Sequence, residues 1–189
     1  MNSSLKAPRM ALALVAAAML GLAGCAGMGA GATGSAGAAT GTRLSADDRV
    51  YAMQAAGGGM YEVEAGRLAA ARAASPDVRA FGQMLVDHHT ASNAELLSLM
   101  QARGLPPPTA LPAAMAAKIA RLAPLSGAAF DQEFIRNAGI ADHQTQIELF
   151  LRASRDVNDP ALKAWFAKTL PSLQAHLQAA QGIAGRIAG

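Results

Sequence analysis

From Ser45 onward, apolar side chains recur at three- and four-residue spacing, β-branched residues are few and alanine is abundant, a pattern that predicts helix. Four long helices follow from it. The first opens at Ser45, an N-cap with Asp47 and Asp48 in the turn behind it, and carries Val50, Met53, Gly57, Met60, Tyr61 and Leu68 along one face. The second starts with Ser75 as cap and Pro76 at its first position, and its stripe is Val78, Phe81, Leu85, Leu96 and Leu99, with the small Ser92 on the same line. The third runs from about Gly127 to Ser154. The fourth begins with Asp159-Pro160 and buries Leu162, Trp165, Phe166, Leu173, Leu177 and Ile183. Pro171 lies inside it and should kink or split it.

Two of these helices open on the same pattern. Ser75-Pro76-Asp77-Val78-Arg79-Ala80-Phe81 and Asp159-Pro160-Ala161-Leu162-Lys163-Ala164-Trp165 lie 84 residues apart, the mark of a repeated helical hairpin. Between the hairpins, Gly104 to Ser126 holds Pro106, Pro107, Pro108, Pro112 and Pro124 around a short helical stretch near Ala113 to Leu122. That connection is too long for a tight turn. It spans a bundle about 35 Å tall, the height of helices of roughly 25 residues at about 1.5 Å per residue. Two hairpins joined by one long crossover make an all-α, ferritin-like four-helix bundle.

Ahead of the bundle the pattern changes twice. Lys6 and Arg9 precede an apolar run from Ala11 to Leu20, too short to span a bilayer, which is the layout of a signal peptide over residues 1–24. Leu22-Ala23-Gly24-Cys25 then resembles the bacterial lipobox, which implies lipidation of Cys25, a firm anchor in a lipid membrane and a place in the cell envelope. Ala26 in place of aspartate favours the outer over the inner membrane, again by resemblance. Residues 25–45 are nearly all Gly, Ala, Ser and Thr and read as a flexible tether, so the folded domain is expected over 46–189.

Charge and cysteine content narrow the partners. The formal net charge is +3; without the two charges of Lys6 and Arg9 it is +1, which gives the domain no electrostatic attraction to nucleic acid. Cys25 is the single cysteine, so no intramolecular disulfide forms and stability rests on packing.

Polar residues on apolar stripes are the informative ones, because an unpaired buried charge is costly. Glu64 falls on the first helix's face with Gly57, Met60 and Leu68, while Glu62 points toward solvent. The second helix supplies Asp87-His88-His89, the third Asp142-His143 and Glu148, the last equivalent to Glu64 by the repeat, and the fourth His176. Here the chain resembles a bacterial family, the "domain of unknown function 4142" proteins, grouped by fold with the ferritin-like bundles. The likeness rests on Gly59-Met60-Tyr61-Glu62-Val63-Glu64-Ala65-Gly66, on Val78-Arg79-Ala80-Phe81 leading to Asp87-His88 and Asn93, on Asp142-His143 followed by Leu149-Phe150, and on Lys168-Thr169-Leu170-Pro171 leading to His176-Leu177. It implies the fold and an exported setting, and no activity.

A di-iron carboxylate centre would need Glu-x-x-His on two helices. Leu85, Val86, Ile140 and Leu173 stand three residues before the four histidines, so that motif is absent. A single divalent ion, iron, zinc or manganese, could instead be held by Glu64, His88, His143 and His176, with Asp87 and Asp142 as outer acceptors. A copper reading uses Met84 and His88, one turn apart, with Met60. The alternative for the whole set is structural: a non-catalytic envelope protein whose buried His and Glu pair with one another and fix the helix packing. No motif names a reaction.

Overall fold

The structure, a computed structural model, describes residues 43–187. The signal peptide, Cys25 and nearly all of the tether lie outside the described residues. Helix α1 spans Ala46–Arg72 and α2 Pro76–Ala102; α3, Ala113–Leu122, lies in the crossover; α4 is one continuous rod from Gly127 to Asp156; and α5 spans Pro160–Ile187. No β-strand occurs among the described residues. Leu44 is buried with the core, so packing begins just before the predicted domain boundary.

The helix starts follow local chemistry. The Ser45 hydroxyl accepts from the Asp48 backbone N–H at 3.1 Å, and Asp159 Oδ1 from that of Leu162 at 2.9 Å. Ser75 does not cap with its side chain. Its own backbone N–H and that of Ala74 are instead held by the Asp131 carboxylate of α4, at 2.8 and 3.0 Å. The mirror contact exists at the other end, where Asp48 of α1 takes the backbone N–H groups of Asn158 and Asp159 at 2.9 and 3.1 Å. Each hairpin thus braces the turn of the other.

Two apolar clusters set the topology. One gathers Leu44 from just before α1 and Ala52 from its start, Leu96 and Met100 from the end of α2, Phe150 from the end of α4 and Trp165 and Phe166 from the start of α5. The other gathers Ala69 from the end of α1, Val78 and Phe81 from the start of α2, Phe130 and Phe134 from the start of α4 and Ile183 from the end of α5. Hence α1 and α2 are antiparallel, α4 runs parallel to α2, and the crossover climbs the full bundle, as the ferritin-like arrangement requires.

Three sequence expectations need correction. The buried seam of α1 is Ala52, Ala55, Ala56, Gly59, Glu62, Gly66 and Ala69, whereas Val50 and Met53 are exposed. Small side chains form that seam because α1 and α2 pack closely: a Cβ on Gly66 would stand 2.6 Å from the Gly82 carbonyl oxygen. Helix α5 runs unbroken through Pro171, which sits on its exposed side, where water can serve the carbonyl freed by the missing N–H. Finally, α4 is not uniform, since Ile135–Asp142 is π-helical.

Candidate metal centre

Between the two apolar clusters lies a polar layer drawn from all four long helices. Gly58 and Gly59 of α1 make room for it, because a Cβ on either would collide with the amides of Gln146 or Asn93 that reach in from α4 and α2. Glycine costs a helix interior about 1 kcal/mol relative to alanine, so the pair is tolerated for the space it leaves.

His89 of α2, His143 of α4 and His176 of α5 are buried here, and one nitrogen from each lies within 4.8 Å of the others. His143 Nδ1 donates to the carbonyl oxygen of Ala138, inside the π-helical stretch, at 2.8 Å. That bond fixes the tautomer and turns the Nε2 lone pair toward His176, whose Nδ1 is 3.3 Å away. His176 Nε2 in turn lies 2.8 Å from Nδ1 of His88, which is exposed on the neighbouring face of α2. His88, His176 and His143 therefore satisfy one another as a chain. His89 Nε2 is buried without a partner.

Burial keeps these imidazoles neutral. Desolvation first, then the neighbouring rings His176, His143 and His88, holds His89 well below its usual value. Desolvation outweighs the Ala138 contact and lowers His143 as well. His176 is lowered to about 3 by desolvation and then by His143 and His88. Neutral imidazole is the form that binds a metal.

The carboxylate inside the bundle is Glu62. It is fully buried, its Oε1 4.0 Å from His143 Nδ1, and neither of its oxygens has a hydrogen-bond partner. Burial, and then the charge of Asp142, push its pKa well above the ordinary carboxylate range, against the pull of Lys118. With His89, Gln146 and Trp165 it lines a cavity of about 10 Å³, room for about one water molecule. Gln146 Oε1 and Trp165 Nε1, like the Glu62 oxygens, find no protein partner.

Against the predicted set, the structure brings together His143 and His176, with His88 at their edge. Glu64 is exposed and outside the cluster. Glu148, its repeat mate, is also exposed and lies near Arg152. Asp87 is exposed and accepts from Gln83, and Asp142 pairs with Lys118 of α3, so neither orients a histidine. Met84 is partly buried against the apolar cluster at the Phe81 end. The residues missed were His89 and Glu62. Both had a signal: His89 continues the Leu85, Ser92, Leu96 stripe, and Glu62 continues the line of Ala55, Gly59 and Gly66.

The three buried nitrogens are close enough together that they could hold a metal ion. Two nitrogens on one tetrahedral ion stand about 3.3 to 3.4 Å apart at bonds of about 2.0 to 2.1 Å, so ring movements of roughly an ångström would close the set.

Comparison with known proteins agrees on the fold and is silent on activity. A crystal structure titled as a DUF305 fragment from Deinococcus radiodurans is similar with a TM-score of 0.67 at 14% identity, covering 76% of this chain and 99% of that one. No curated protein matches the chain. The family model described as domain of unknown function (DUF4142) matches residues 33–183, most of the chain, and the chain belongs to that family.

Proposed function

We propose that this domain binds one divalent transition-metal ion through His89, His143 and His176. The observation that carries the reading is the buried, unpartnered Nε2 of His89 beside two other buried imidazoles. If the rings served packing alone, the chain from His88 to His143 would be complete without His89, whose Nε2 finds no protein partner of its own. Three imidazoles and no carboxylate in the ligand group favour zinc or copper(II) over manganese. The three protein ligands leave a further coordination position for a small molecule or solvent. The lipobox resemblance supports a setting at the periplasmic face of the envelope, with Cys25 as a lipid anchor and the outer membrane favoured over the inner. No described helix is long and apolar enough to cross a membrane.

Elemental analysis of the protein purified without a histidine tag tests the proposal. One equivalent of metal is expected, or uptake of one equivalent of added zinc, with a fall in Tm on chelation because the ion binds only the folded state. A protein that takes up no zinc or copper, and whose melting ignores chelators, would sink it.

A further inference from the structure

Within the cluster, His176 is flanked by an imidazole on each side. Its Nδ1 faces His143 Nε2 at 3.3 Å toward the core, and its Nε2 faces His88 Nδ1 at 2.8 Å toward solvent. The outer pair lines a groove of about 280 Å³ between α2 and α5. Lys168 and Glu95, paired at 2.9 Å, line the same groove, so the lysine charge there is neutralised rather than turned against a cation.

We infer that His88 and His176 Nε2 form a second, outer metal position at the mouth of this groove, where a divalent ion is captured before it reaches the core. The inference rests on the core site proposed above and adds how that site is filled. At 2.8 Å the two nitrogens are hydrogen-bonded and aimed at each other, so for both lone pairs to converge on one ion a ring must swing aside. His88 is exposed and free to do so, while His176 is buried. Two protein ligands with solvent completing the shell hold an ion more weakly than three buried ones, which suits capture and release inward.

A neutral imidazole has one lone pair for a metal, so His176 serves one position at a time. In a handover the ion would give up its bond to Nε2 for one to Nδ1; the Nδ1 proton would be displaced as the ion binds there, and Nε2 would take up a proton from solvent in the groove, so the ring would keep a single proton. The new Nε2–H then donates to His88, which holds the ring in its inward-binding tautomer.

Zinc uptake by the tag-free protein, followed by competition with a chromophoric chelator, tests this. His88→Ala should slow loading several-fold. His143→Gln should lose tight binding but keep one weak equivalent, and His88→Ala added to it should remove that equivalent. His89→Ala gives the same comparison in a second background, and circular dichroism melts confirm that each variant is folded. Loading of His88→Ala at the wild-type rate, or a weak equivalent that survives in the double variant, overturns the inference. Wild-type protein that binds no zinc overturns the core site itself, a result distinct from unaltered kinetics in a protein that does bind.

Discussion

Glu62 and Glu64 are two residues apart, about 200° around a helix, so only one of them can face the core. Large apolar residues on α1 point to Glu64; the structure buries Glu62, because the seam there is built from alanine and glycine and the bulky Val50 and Met53 lie outside it. Size is a poor guide where two helices approach closely. His88 and His89 pose the same problem as immediate neighbours, about 100° apart, and the inward ring is the one in step with Leu85 and Leu96. His143 and His176 were legible as polar residues near apolar stripes. The consequence can be measured on single variants. His89→Ala should lose tightly bound zinc, while Glu64→Ala should keep it and change stability by less than about 0.5 kcal/mol, as an exposed side chain without a partner in the site. Elemental analysis and thermal melts of the two proteins check both halves, and metal loss on removing Glu64 would restore it to the site.

Among the elements, the hairpin repeat and the crossover were readable because proline and capping residues punctuate the chain at both places. The π-helical stretch of α4 was not, since no residue type marks it. Its trace is in the repeat spacing. Asp48 and Asp131, which brace opposite turns, lie 83 residues apart, whereas the turns they brace, at Ser75 and Asp159, lie 84 apart. One extra residue is what a wider helical turn absorbs, and that turn carries the Ala138 carbonyl that orients His143. The α1–α2 seam makes a sharper prediction. Alanine gains about 1 kcal/mol over glycine in a helix interior, but a Cβ at Gly66 would meet the rigid Gly82 carbonyl at 2.6 Å. Gly66→Ala should therefore destabilise by about 1–3 kcal/mol through forced helix separation. Gly185→Ala, in α5 with open space around the position, should stabilise by about 0.5–1 kcal/mol. Urea unfolding of the two variants decides, and a Gly66→Ala protein as stable as the parent would show that the seam can open freely.

For the whole molecule, two expectations join the fold to its surroundings. Cys25→Ala should abolish lipid incorporation and the associated mass shift if the anchor reading holds; cleavage after Gly24 in that variant, with no lipid on the parent, would end it. The second concerns pH and follows from opposite displacements inside one layer. In the metal-free domain, His89, His143 and His176 have lowered pKa values, His176 to about 3. Their contribution is fully present above the unfolded histidine value of about 6.5 and is lost as pH falls from there, since the unfolded chain takes up protons that the folded one refuses. Glu62 behaves in the reverse sense. Its raised pKa gives stability that is full below the unfolded glutamate value and is lost as pH rises through the folded one. Each displaced group can tilt stability by up to about 1.4 kcal/mol per pH unit. Between pH about 4.5 and 6.5 the slopes oppose, and three histidines outweigh one glutamate; above the unfolded histidine value the histidines add no slope, and what remains is the glutamate's, up to its raised folded value. Tm in the presence of a chelator should therefore peak near neutral pH, falling steeply on the acid side and gently on the alkaline side. Glu62→Gln removes the ionisable group while keeping its shape, so it should flatten the alkaline limb and leave the acid limb in place. Melting curves from pH 4 to 9 test this, and an alkaline limb that persists in Glu62→Gln would mean that the buried carboxylate is not the group being titrated.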